Sequence, residues 1–134
     1  MRVVGLGRAG CNIADAFSKF PQYETYGIDT NDDADITIRP KADHEEYDAK
    51  FPNLKRKLKF SGEEVLVVIA GSGLISGGSL RLLEQLKNNR LRVLYIQGDI
   101  SIMSETQKKQ EKIVSNILQE YARFGLVENI ILIN

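Results

Sequence analysis

Cysteine and histidine are almost missing from this sequence, which holds one of each, Cys11 and His44. A lone cysteine excludes an internal disulfide framework and fits a reducing compartment. A zinc site would need a cluster of three or four His, Cys or acidic ligands, and no such cluster is evident. A Ser-His-Asp arrangement would have to rest on His44, which sits in the polar stretch "KADHEEYDAK" and reads as a solvated loop or helix-start residue. Net charge is missing as well. The 18 Lys and Arg balance the 18 Asp and Glu, so no overall charge draws the chain to nucleic acid or to an anionic membrane. Long apolar runs are absent too: the longest, Val65 to Ala70, falls far short of the roughly 20 residues that span a bilayer. No signal peptide is recognisable, because the apolar start is short and runs straight into glycines. The 134 residues are therefore expected to form one soluble, cytoplasmic globular domain with no membrane segment.

What the sequence does have is alternation. Arg2 to Val4 is a β-branched run ended by Gly5, and Ile13, Ala14, Phe17 and Phe20 then recur at helical spacing until Pro21. Tyr23 to Asp29 reads as a second strand and Ile36 to Ile38 as a short third. "HEEYDAKFPNLKRKLKF" suits a helix that Pro52 must break or restart. Its cationic cluster, Lys55, Arg56, Lys57 and Lys59, reads as a solvated face with Leu54 and Leu58 turned inward; a phosphate or partner patch is the alternative.

Glu64 to Ala70 is nearly continuous in apolar residues, as expected of a strand buried on both faces of a parallel sheet. A helix face follows at Leu80, Leu82, Leu83 and Leu86, then a strand from Leu91 to Gln97. "SETQ" at Ser104 to Gln107 opens a helix with a capping box; Gly125 ends it, and "ENIILIN" is a last strand. The pattern predicts an α/β fold: a three-layer, doubly wound, mostly parallel, Rossmann-like sheet of five or six strands.

Two glycine segments stand out. "GLGRAG" spaces Gly5, Gly7 and Gly10 between a strand and a helix, where backbone amides can approach a phosphate at the helix N-terminus, and Arg8 adds a donor. Asp29 lies 19 residues beyond Gly10, where a dinucleotide-binding fold places its ribose carboxylate. "AGSGLISGG" also follows a strand and precedes a helix, with Ser72, Ser76 and Ser79 as further donors. If the strand order is 3-2-1-4, both segments open onto one crevice at the topological switch point. That geometry suits one polyphosphate held from two sides. Asp99, on the same edge, is a second ribose or metal candidate, or the cap of a turn beside Gly98.

These segments resemble, in order, the nucleotide-binding half of the tubulin/FtsZ family. "VVGLGRAGCNIADAF" is similar to the family's first phosphate loop and helix, with Gly5, Gly7, Gly10 and Asn12 matching. "YGIDTNDDAD" resembles the stretch I-N-T-D-x-x-A, with Asn31 where the family has an acid associated with the metal-nucleotide site. "VVIAGSGLISGG" resembles A-G-x-G-G-G-T-G-T-G, with Ala70, Gly71, Gly73 and Gly77 matching and Ser76 standing for threonine. The stretch from Arg92 to Asn134 is similar to the strand, long helix and strand that close the family's domain.

The resemblance implies GTP or GDP, with magnesium, held by Gly5, Gly7, Gly10, Asn12, Asn31, Gly71, Gly73, Ser76 and Gly77, to which the reading of the loops themselves adds Arg8, Asp29 and Ser72. It also implies homo-oligomer or filament neighbours. Leu74 and Ile75 replace signature glycines, Gly78 and Ser79 swap the last two signature types, and no phosphate loop is recognisable in "RPKADHEEYDAKFPNLK". The sequence stops before the family's base-contacting helix and C-terminal domain, so it reads as a fragment or as the fold cut down to another use. Hydrolysis by this chain alone is expected to be weak or absent. Two alternatives stay open: a scaffold or assembly protein that keeps the fold without nucleotide, and an NAD-binding regulatory domain.

Overall fold

A computed structural model describes residues 1–133. Six strands form one all-parallel sheet: β1 (Arg2–Leu6), β2 (Glu24–Asp29), β3 (Ile36–Thr37), β4 (Glu64–Ala70), β5 (Arg90–Ile96) and β6 (Val127–Ile133). Four helices connect them: α1 (Gly7–Phe17), α2 (His44–Ala49), α3 (Ser79–Gln85) and α4 (Glu105–Arg123). The strand order is β3-β2-β1-β4-β5-β6, the doubly wound Rossmann-like order.

That order fixes the layers. The chain moves one way along the sheet from β1 to β2 and the other way from β3 through β4 and β5 to β6. Right-handed crossovers then put α1 on one face and the remaining helices on the other. The two cores follow this division. Ala14 of α1 packs with Val3, Leu66, Val68 and Leu94. Tyr47 of α2, Leu82 and Leu83 of α3, and Val114 and Leu118 of α4 pack with Val4, Leu6, Val65, Val67, Ile69, Val93 and Tyr95. Val65, Val67, Val68 and Ile69 of β4 have no exposed surface, as its continuous apolar sequence predicts.

α4 starts on the expected capping box: the Gln107 amide donates to Ser104 Oγ at 3.1 Å, and the Ser104 amide donates to Gln107 Oε1 at 3.0 Å. The segment after Pro52 differs from expectation. It forms a turn at Leu54–Leu58 rather than a helix, but Leu54 and Leu58 are buried and the four cations exposed, as their spacing predicts. α1 ends at Phe17 rather than at Pro21. Toward β6 the sheet turns apolar residues outward: Ile131, Leu132 and Ile133 are 46%, 61% and 39% exposed.

Candidate functional site

The first glycine segment is less of a loop than its sequence suggests. β1 runs through Gly5, which pairs with Gly27 on one side and Val68 on the other, and α1 begins at Gly7. A methyl group on Gly5 would collide with the Gly10 carbonyl, and one on Gly10 would stand 2.7 Å from the Val68 carbonyl oxygen. Gly5 and Gly10 therefore let α1 press directly onto the sheet. Gly7 has φ +78°, a left-handed turn that only glycine makes freely. Leu6 is the N-cap residue and provides no capping side chain, and the first turn contains no acid. The opening amides of α1 thus have no side-chain acceptors among the described residues, and the helix dipole favours an anion there. Arg8 is exposed at this turn.

The second segment begins where β4 ends. Gly71 lies under the Tyr95 ring, Gly77 against the His44 backbone carbonyl and Gly78 against the Phe51 ring; a methyl on any of them would collide with that neighbour. Gly73 is different: the nearest atom to an added methyl is the Ala70 oxygen at 3.5 Å, and its φ of −72° suits any residue. A 3-10 turn over Leu74–Gly78 then leads into α3, whose start also has no side-chain cap among the described residues.

The two segments meet, as the 3-2-1-4 order requires. Leu6 and Ile69 are register partners on adjacent strands. The contact between the segments is apolar: Ile75 Cγ2 lies 2.7 Å from where a Gly7 side chain would begin. Ile75 is largely buried against the core on the α2–α4 face, while Leu74 points outward at 41% exposure. The Ile75 side chain thus lies against Gly7, between the segments. The spacing of the glycines gives no sign of this side chain; only the packing reveals it.

The polar candidates are divided between places. Asp29 ends β2 beside the first segment, and its carboxylate accepts from the Thr30 amide at 2.8 Å and from Asn31 Nδ2 at 3.3 Å. Asn12 and Asn31 line a separate cleft of about 430 Å³ with Cys11, Asp33 and Asp35, between α1 and the β2–β3 connection. Cys11 donates to the Ile28 carbonyl at 3.4 Å, and burial, with Asp29 and Asp35 nearby, pushes its thiol up to about 11. Ser72 touches the turn at Gly98. Asp99 accepts from the Ser101 amide at 2.9 Å and from its hydroxyl at 2.6 Å, which holds its carboxyl below the usual range and gives it the turn-capping role.

His44 opens α2, as expected, but it is buried rather than solvated, at 8% exposure. Its Nε2 lies 3.3 Å from Ser76 Oγ. That serine does not become a nucleophile: its one proton goes to the Gly73 carbonyl at 2.6 Å or the Gly71 carbonyl at 3.0 Å. His44 Nε2 therefore donates to Ser76, and the pair pins the second segment to α2. Tyr95 performs a similar task. Its hydroxyl reaches Glu111, which also accepts from the Gly98 amide at 3.0 Å.

Among the described residues no group of three or more His, Cys, Asp and Glu could hold a metal ion, and no helix is long and apolar enough to cross a membrane. No protein-family model matches the chain, and no curated protein matches it.

Proposed function

We propose that this chain is a nucleotide-binding domain of the tubulin/FtsZ type, holding GTP or GDP between Gly5–Gly10 and Gly71–Gly77; magnesium would be carried by the phosphates, since no acidic cluster among the described residues could hold the ion. One arrangement carries the reading. Two helical starts without side-chain caps, that of α1 and that of the 3-10 turn Leu74–Gly78, follow the adjacent parallel strands β1 and β4, at the point where strand order reverses. Phosphates would take the amides after Leu6 and those of Ser72 and Leu74, since the Gly71, Gly73 and Ser76 amides already donate to the Ile96, Ala70 and Gly73 carbonyls, with Arg8 and Ser72 as side-chain donors. Asp29 is the ribose partner at the end of β2. Asn12 and Asn31, in the neighbouring cleft, stand outside this set. The donor set suits an anion, but phosphates can lie between the segments only if Ile75 leaves Gly7. No side chain at the crevice is placed as a general base for water, so the proposal is binding without efficient hydrolysis.

The test is a calorimetric titration with GTP, GDP and NAD, with and without magnesium, on the wild type and Gly73→Val. Gly73 is the position to vary, because it tolerates a side chain without disturbing the core. Saturable binding of GTP or GDP, weakened in a folded Gly73→Val, supports the proposal. Preference for NAD would move the reading to a dinucleotide domain, and no heat with any of them would overturn it.

A second reading rests on its own observation. Packing accounts for Gly5, Gly10, Gly71, Gly77 and Gly78 without any ligand, while β6 presents exposed Ile131, Leu132 and Ile133 at a sheet edge. On this reading the fold serves assembly with a second copy, and nucleotide is not used. Sedimentation equilibrium of the wild type and Ile131→Asp separates the two: self-association lost in the variant favours assembly, and a monomer in both removes it.

A further inference from the structure

A cavity of about 320 Å³ lies on the far side of the second glycine segment, enclosed by α2, the start of α3 and the middle of α4. One wall is apolar: Leu80, Ile113, Val114, Ile117 and Leu118. The facing wall is polar: His44, Ser76 and Ser79 in its depth, Glu45 and Asp48 toward the mouth. Two polar atoms of this wall lack hydrogen-bond partners among the described residues. Ser79 is 3% exposed and its hydroxyl is unpartnered; Asp48 Oδ1 accepts no hydrogen bond, but it has Arg81 Nε as an ion-pair partner 3.3 Å away and belongs to a side chain 40% exposed. Buried polar atoms in native folds are nearly always satisfied, so the unsatisfied Ser79 hydroxyl in the depth of this cavity points to something that occupies it.

The chemistry of the occupant follows from the walls. Both carboxylates of the lining are acceptors only, and the lining contains no lysine or arginine. Arg81 lies outside the lining and 3.3 Å from Asp48 Oδ1, but its Nε–H donates to the Asp48 main-chain carbonyl. The wall formed by α4 has no polar group to offer, so the body of the ligand must be apolar. We propose that this cavity binds a small aliphatic ammonium, with its alkyl chain along Ile113, Ile117 and Leu80 and its N–H groups directed to Asp48, Glu45 and Ser79. The site goes beyond the nucleotide proposal and stands without it. It shares Ser76 and Gly77 with the segment that borders the crevice.

The experiment is a titration of the isotopically labelled chain with n-hexylammonium, hexan-1-ol and hexanoate, followed by amide chemical shifts. Hexylammonium should saturate with shifts at His44, Ser76, Ser79 and Ile117, and should bind about tenfold or more tightly than hexanol, since a charge-assisted hydrogen bond is lost. Hexanoate should bind more weakly than either. Ile113 is 49% exposed, so Ile113→Lys should fold normally, set a cation at the mouth and remove hexylammonium binding. Glu45→Lys, on the exposed rim, should weaken it in the same way. Equal binding of hexanol and hexylammonium, tighter binding of hexanoate, or unchanged affinity in both folded variants would overturn the assignment. So would the absence of saturable shifts with hexylammonium at millimolar concentration, which would identify the cavity as a site for water alone.

Discussion

Ile75→Ala separates binding from packing, because the proposed site requires its two effects to have opposite signs. Ile75 is largely buried and lies against Gly7 and the core on the α2–α4 face. Removing three carbons from a fully buried isoleucine costs about 2–5 kcal/mol, and from this partly exposed position about 1–2 kcal/mol. Urea denaturation should show that loss as a lower midpoint with an unchanged slope. Nucleotide binding should respond the other way. In the wild type a ligand's phosphates displace the isoleucine and forfeit its contacts, and in the variant there is little to displace. If half of the lost packing is recovered on binding, about 0.5–1 kcal/mol, the GTP dissociation constant falls about two- to fivefold. Calorimetry on the two folded proteins, with magnesium, reads this directly. A variant that is less stable and binds GTP no better, or worse, refutes the idea that Ile75 stands in the ligand's place.

Three further outcomes follow from the same geometry. Gly5→Ala should cost about 3 kcal/mol or more in urea unfolding, since its methyl meets the Gly10 backbone, whereas Gly73→Ala should stay within about 0.5 kcal/mol of wild type; equal costs would refute the assignment of packing to one and ligand access to the other. Burial lowers the pKa of His44 below its usual 6.5, outweighing Asp48, Glu45 and Asp43, so the unfolded chain binds the proton more readily than the fold. The stability this contributes is complete above pH 6.5 and is lost as pH falls below it, and His44→Gln should flatten that part of the stability profile measured by urea midpoints. With its thiol pushed up to about 11, Cys11 should react with iodoacetamide about twentyfold or more slowly than an ordinary cysteine, allowing for the greater nucleophilicity of its thiolate, and at the ordinary rate in urea.

The sheet was legible because its signals are local and mutually consistent. A parallel strand buried on both faces has to be apolar throughout, and Val65 to Ala70 is. The capping box at Ser104 and Gln107 marks a helix start in four residues, and the atoms bond as the motif requires. The order 3-2-1-4 depended on two residues, Ile36 and Thr37, which are enough to pair as β3 at the edge of the sheet. Boundaries were less legible. Gly5 looks like the end of a strand, but in the middle of a sheet its missing side chain is what allows α1 to lie over β1, so the strand continues to Leu6. His44 looked solvated because its neighbours in sequence are charged; its partner Ser76 is 32 residues away, and no local pattern reports it.

The glycines of the site were visible in the sequence, but their reasons were not. A glycine chosen for close backbone packing and one chosen to admit a phosphate are the same letter, and packing accounts for most but not all of the glycines here. Gly5, Gly10, Gly71, Gly77 and Gly78 each sit where a methyl would strike a neighbouring backbone carbonyl or aromatic ring, so a fold without ligand would keep them. Gly7 and Gly73 are different. Gly7 is fixed by its positive φ and by Ile75 above it, and Gly73 by nothing in the packing at all. If selection acted on the fold alone, Gly73 should accept a side chain without consequence for anything the protein does. If a phosphate must pass that point, Gly73→Val should weaken nucleotide binding while the melting curve stays where it was, and that dissociation of affinity from stability is what a binding glycine, unlike a packing glycine, must show.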